Sequence, residues 1–151
     1  MRRLLQELVV DGDPVKFYLM NSADDPYSFY GEMGYIFASA EIRKELDGYP
    51  INNDPGRQWV VAFRNDDIVG FRSFGQSEGK GVFYEAWVAP QYRRSGIYRA
   101  MLALAESELT DKNVKIISVV ANEKARPILE KFGFDVDRMR GRFAYMHKDL
   151  S

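Results

Sequence analysis

Residues 88–102, VAPQYRRSGIYRAML, gather the side chains best suited to hold an anion. Arg93, Arg94 and Arg99 fall within seven residues of one another, with Ser95 and Gly96 between them. The apolar spacing that follows predicts a helix beginning near Gly96. Its first N–H groups lack intrahelical partners and carry the positive end of the helix dipole. Ser95 is the residue placed to cap that helix, and Gly96 lets a ligand approach the backbone closely. Free amides beside guanidinium groups suit a phosphate or pyrophosphate. Pro90 cannot donate a ladder hydrogen bond, so pairing of the preceding strand is expected to stop there. Two central strands can then diverge and leave backbone groups to which a linear, amide-bearing ligand adds like another strand. Arginines at a strand-to-helix connection also fit plain solvation, and charge alone does not decide between the two.

The elements that must hold this loop are clearest from Trp59 onward. QWVVAFRNDDIVGFRSFG reads as two strands around an Asn65-Asp66-Asp67 turn, GQSEGKG as a second turn, and GVFYEAWVAP as a third strand ending at Pro90. After the loop, Ile97, Met101 and Leu104 fall at i, i+4 and i+7, and Leu102, Ala105 and Leu109 widen the stripe into an amphipathic helix. VKIISVV is nearly unbroken apolar, as expected of a strand covered on both faces. EKARPILEKFGF reads as a short helix ending at Gly133, followed by a hairpin turning near Gly141. Antiparallel strands followed by strand–helix–strand–helix imply a mixed α/β sheet.

The N-terminal third is less regular. LLQELVV fits a strand or a short helix. Asp25-Pro26 starts a helix, with the aspartate as cap and proline at the first helical position. Gly31 and Gly34 make two short helices as compatible as one long one, and Gly48 and Pro50 stop the pattern. The expected organisation is a single domain over 1–151, with an irregular segment at 1–57 and a core at 58–151.

Composition removes several functional classes. A chain of 151 residues buries a core without disulfides or metals. A net charge of −1 offers no global attraction to nucleic acid or acidic membranes. The absence of cysteine removes disulfides, thiolate nucleophiles and cysteine metal sites together. The single histidine, His147, cannot build a histidine metal centre, and its neighbours Tyr145, Met146 and Lys148 fit a surface or edge strand better than a catalytic position. Gln6 and Glu7 interrupt the early apolar run, so no signal peptide is read there, and no other stretch is long enough to cross a membrane. A cytoplasmic protein without a metal is the expectation.

The run Val88-x-Pro90-x-Tyr92-Arg93-x-x-Gly96-Ile97 resembles the acetyl-CoA-binding motif of the GNAT N-acetyltransferase superfamily, usually written Q/R-x-x-G-x-G/A. Residues 119–134, VVANEKARPILEKFGF, are similar to that superfamily's later strand and helix, with Asn122, Ala125, Gly133 and Phe134 at matching spacing. The resemblance covers the last two thirds of the chain. It implies a GNAT-like mixed sheet and an acetyl-CoA-dependent transferase that acetylates a primary amine by direct attack, without a covalent enzyme intermediate. It further implies that the backbone from Arg94 to Arg99, with Arg93, Ser95, Gly96, Ile97 and Tyr98, holds the pyrophosphate. Trp87 and Val88 would sit by the pantetheine arm, with the Val88 amide near the thioester carbonyl, and Asn122, Arg126 and Leu129 would approach from the second motif. The acceptor would be a small metabolite, a drug-like amine, a protein N-terminus or a lysine. A homodimer is an open option.

Two positions depart from the pattern. Tyr98 stands where the motif most often has glycine or alanine. Leu129 occupies the place of a tyrosine that in many members protonates the departing thiolate, a role in which Tyr98 or Tyr145 would have to substitute. General acid help is typically worth about 100- to 10,000-fold, but a thiol with a pKa near about 8.5 leaves passably without it. For the general base, Glu85 is the one acid between Val82 and Trp87; an ordinary outward-facing charge is the competing reading. Tyr84 and Glu85 should face opposite sides of a regular strand, unless a bulge intervenes. Phe17, Tyr18, Tyr27, Phe29, Tyr30, Tyr35 and Phe37 read as core, and Asp24, Asp25 and Glu32 as a solvated face or an attractor for a cationic amine. The other reading of the whole is a degenerate GNAT-fold domain that binds a partner protein with weak or no turnover.

Overall fold

The computed structural model describes residues 2–150. Strands β1 (Arg3–Val10), β2 (Asp13–Met20), β3 (Gln58–Arg64), β4 (Asp67–Ser77), β5 (Lys80–Val88), β6 (Ile116–Ala121), β7 (Asp135–Arg140) and β8 (Phe143–Asp149) form one sheet, in the order β1-β2-β3-β4-β5-β6-β8-β7. The helices are α1 (Pro26–Ala38), α2 (Ala40–Glu45), α3 (Ile97–Asp111) and α4 (Arg126–Lys131). Neighbouring strands from β1 to β5 pair antiparallel, β5 and β6 are parallel across the α3 crossover, and β8 returns antiparallel to β6. Among the described residues no helix is long and apolar enough to cross a membrane.

Two-residue turns set the register of the antiparallel part. Asp11 and Gly12 have φ of 51° and 84°, and Glu78 and Gly79 have φ of 55° and 81°. Positive φ at both central residues gives a turn whose twist matches that of the paired strands. The first of these turns corrects the reading of 1–57 as irregular, because β1 and β2 form an antiparallel hairpin there, with one register shift between Leu4 and Gln6. Pro14 disguises β2, since proline within a run argues against a strand. It is tolerated because the β2–β3 ladder begins only at Lys16. In the helical segment Asp25 accepts from the Ser28 amide at 3.1 Å, while Ser39 ends α1 and caps α2 by accepting from the Ile42 amide at 3.1 Å. That cap divides the helical stretch in two.

The sheet is covered on both faces along β3 and β4. Trp59 is fully buried against Phe29 and Phe37 of α1 and Phe71 of β4, with ring centroids 5.9, 5.4 and 5.5 Å away. On the other face two glycines admit α3. A Cβ on Gly70 would lie 3.2 Å from Ile97, and one on Gly81 would lie 2.8 Å from Leu109. Ile117, Val119 and Ala121 of β6 are buried on that α3 face, whereas Val120 on the opposite face is 51% exposed. The apolar run of β6 is therefore only half covered, and the uncovered half lies beside the site.

Candidate active site

The central strands part early. β5 pairs with β6 only at Gly81–Ile117, Val82–Ser118 and Phe83–Val119, although β5 continues to Val88. The divergence was expected at Pro90, but a bulge sets it sooner. Arg72 pairs with Ala86 and Phe74 with Phe83, so Tyr84 and Glu85 together oppose Ser73. The extra residue bends β5 away from its neighbour. Pro90 instead opens a short 3-10 turn, Pro90–Tyr92.

Between the parted strands lies a cleft of about 2000 Å³. Small-molecule pockets usually measure roughly 300–1,000 Å³, so this one has room for two ligands. Strand register assigns its walls to faces. Gly70 faces α3 and is opposite Val88, and Arg72 is opposite Ala86, so Arg72, Ala86 and Val88 lie on the α3 side. The bulge turns both Tyr84 and Glu85 to the other side, where Arg57 touches both. Its guanidinium sits 3.7 Å from the Tyr84 ring centroid and 3.0 Å from the Glu85 carboxylate. The opposite-face expectation holds for a regular strand, and the bulge is the exception it allows.

At the α3-side mouth, Arg94 and Gly96 adopt left-handed conformations, with φ of 64° and 92°. Ser95 does not cap the helix; its hydroxyl donates to the Tyr92 carbonyl, leaving the first amides of α3 without a side-chain acceptor. Arg93 is also committed. Its Nε donates to the Val88 carbonyl at 3.0 Å, and its guanidinium pairs with Glu45. Arg94 is exposed and has no ion-pair partner among the described residues, and Arg99 lies 5.3 Å from the Phe132 ring. Tyr92 is fixed from β3 by Arg64 at 2.5 Å; hydrogen bonds to Tyr92 and then to Asp13 push the Arg64 pKa above its ordinary value.

Of the remaining expected residues, Trp87, Val88, Tyr98, Asn122 and Leu129 line the cleft, whereas Ser95, Ile97 and Arg126 do not. Ile97 is fully buried core, and Arg126 donates to Glu130 along α4 at 3.2 Å. Asn122 shapes its own turn, accepting from the Ala125 amide at 2.8 Å and donating to Asp47 at 3.0 Å. Leu129 is 1% exposed and has no proton to give.

Sequence reasoning missed Arg72. It is 2% exposed, and no carboxylate pairs with it among the described residues. Its Nη2 donates to the Tyr98 hydroxyl at 2.9 Å and its Nη1 to the Tyr84 carbonyl at 3.3 Å, while Nε lacks a partner. A buried charge is costly unless it is well satisfied, so this position answers to more than packing. The available signal was a lone cation in the apolar strand IVGFRSFG, two residues from Gly70 and hence on its face.

The opposite mouth is assembled from distant segments. Glu85 accepts from Arg57 at 3.0 Å and Ser73 at 2.9 Å through Oε2, whereas Oε1 makes only a 3.5 Å contact with Arg57. A guanidinium and a hydroxyl thus hold the carboxylate expected as general base. Tyr49, from the loop after α2, meets Phe143 of β8 edge-on at 6.1 Å. Tyr145 pairs with Val120, placing it across the sheet from Tyr98. The acids expected to draw an amine are elsewhere: Asp24 accepts from Asn21, Asp25 caps α1, Glu32 pairs with Arg2, and none lines the cleft. His147 lies 2.6 Å from Asp137 on an inner strand, not an edge, and is outside the cleft lining.

Known proteins share this architecture. The ribosomal-protein-S18-alanine N-acetyltransferase of Escherichia coli superposes with a TM-score of 0.68 at 17% identity, over 91% of this chain and 94% of its own. A GNAT-family acetyltransferase of Staphylococcus aureus Mu50 gives 0.67 at 15% identity, over 89% and 99%. The PaiA N-acetyltransferase of Thermoplasma acidophilum, in complex with coenzyme A, gives 0.62 at 14%, over 89% and 99%. At these identities the likeness is one of fold. No curated protein sequence matches the chain. Residues 17–134, most of the chain, match the model of the Acetyltransferase (GNAT) family, and the protein belongs to that family.

Proposed function

We propose that the protein transfers the acetyl group of acetyl-CoA to a primary amine by direct attack within a complex of both substrates. The observation that carries this reading is the cleft through the sheet, with amides and arginines at one mouth and a carboxylate with aromatic walls at the other. Family membership supports acetyl transfer in general, and the Thermoplasma complex supports a CoA thioester as donor.

The residues present fit that donor. β5 has no ladder partner on its β6 side beyond Phe83, an edge suited to the amides of a pantetheine arm. The uncapped start of α3, with Arg94 and Arg99 beside it, suits a pyrophosphate. Acetyl-CoA supplies an activated thioester. In the transfer a C–N bond forms as the C–S bond breaks, the amine gives up a proton, and the sulfur gains one. The Val88 amide stabilises the carbonyl oxygen as it becomes anionic. Glu85 takes the amine proton through Oε1, its less engaged oxygen, directly or through water.

Tyr98 returns a proton to the sulfur. Its oxygen accepts from Arg72, so its own hydrogen points away from that guanidinium, and the buried positive charge favours an anion nearby. The second reading, a partner-binding domain without turnover, rests on the buried Leu129 where a proton donor is common and on Tyr98 in place of a small residue; the transferase reading gives Tyr98 the proton donor's part.

The test is to incubate the protein with acetyl-CoA and a panel of primary amines, following thiol release and product mass. Thiol released in step with an N-acetylated amine supports the reading. Binding of acetyl-CoA without transfer to any amine contradicts it.

A further inference from the structure

We infer that the amine acceptor carries a carboxylate, recognised by Arg138 and Arg140 of β7. This rests on the transferase reading and names the substrate class of the second mouth.

Register carries the first step. Arg138 is opposite Tyr145, Arg140 is opposite Phe143, and Tyr145 is opposite Val120, so all of them share the face away from α3. Met139, between the arginines, faces the other way, its sulfur 3.5 Å from Arg126 of α4. Both arginines line the cleft and are exposed. Arg138 is held over the Tyr145 ring, 4.5 Å from its centroid.

Charge carries the second. Neither arginine has a carboxylate partner among the described residues, while each acid of the cleft is already engaged. Glu45 pairs with Arg93, Asp47 accepts from Asn122, Glu85 pairs with Arg57, and Asp137 pairs with His147. Trp87, on the same face and 9% exposed, adds a buried indole N–H with no acceptor among the described residues. Asp47 and Asp137 are held by hydrogen bonds to Asn122 and His147, and the mouth still offers two guanidinium groups that no carboxylate of the described residues contacts, although the whole chain carries −1. Exposed charges are screened at long range, but at contact a guanidinium binds a carboxylate through two parallel hydrogen bonds. Phosphates of the donor are served by the loop on the α3 side, so they do not account for cations here. The same cations disfavour the ammonium form of a neighbouring amine, which helps it attack. A free amino acid and the acidic end of a short peptide share this chemistry.

The experiment compares thiol release with free amino acids, their amides, the amines left by removing the carboxylate, and short acidic peptides, all at saturating acetyl-CoA. Carboxylate-bearing amines should exceed their matched amides in kcat/KM by at least about tenfold. In Arg138→Ala/Arg140→Ala that advantage should collapse, with the affinity for acetyl-CoA, measured by calorimetry, unaltered. Preference for amino acids over peptides, or the reverse, identifies the source of the carboxylate. Equal or better rates with the amides and decarboxylated amines overturn the inference. So does a variant that loses acetyl-CoA affinity, because the arginines then serve the donor. Failure of the wild type to bind acetyl-CoA overturns the transferase reading itself.

Discussion

On the α3 side, the groups proposed to hold the donor's phosphates come from one contiguous stretch, residues 88–99, set by a left-handed loop and the start of a helix. On the opposite side Tyr49, Glu85, Val120, Arg138 and Tyr145 come from five segments spread over most of the chain. The first wall is a local device whose geometry follows from backbone conformation. The second depends on strand register, a bulge and the return of the C-terminal hairpin, so its chemistry can vary while the fold is kept. Such a division lets one scaffold hold a fixed donor and change its acceptor.

If the walls have separate jobs, substitutions should separate the two substrates. The largest effect is expected for Gly96→Trp. A side chain at φ of 92° is strained, and its bulk covers the amides of α3. Losing two charge-assisted contacts lowers acetyl-CoA affinity by about 100-fold or more, measured by titration, with thermal unfolding showing that the fold persists. Next is Glu85→Gln, expected to reduce kcat by about 100-fold with little change in the KM for acetyl-CoA. An altered unfolding temperature with kcat intact would instead make Glu85 an anchor for Arg57. Smaller again are Tyr98→Phe and Arg72→Met, expected to lower kcat by about tenfold, since a thiolate leaves passably unaided. The double variant should lose no more than either single one, since both act through the Arg72–Tyr98 hydrogen bond, a coupling that independent packing losses do not produce.

The same contrast explains what was legible. Turn chemistry, the helical spacing of Ile97, Met101 and Leu104, and the 88–98 motif are local signals, and they located the loop, α3 and the C-terminal hairpin. Pro14 hid β2, because a strand beginning with proline is tolerated only when the neighbouring ladder starts later, a fact of register. Ser95 has the chemistry of a cap, but the N-cap position falls one residue later, on the left-handed Gly96, and the Ser95 hydroxyl donates to the Tyr92 carbonyl. Tyr84 and Glu85 share a face only because of the bulge opposite Ser73, and no spacing rule announces a bulge. Arg72 was legible in principle, as a cation in an apolar strand. Its meaning came only with Tyr98 packed above it.

The central claim is that the 93–99 loop binds the donor and does so independently of the acceptor face. Its most direct test is calorimetric titration of acetyl-CoA into the wild-type protein and Arg94→Glu. The account predicts saturable one-to-one binding at micromolar ligand for the wild type, weakened about tenfold or more in the variant. Equal affinity in the two proteins, or no binding to either, would contradict it.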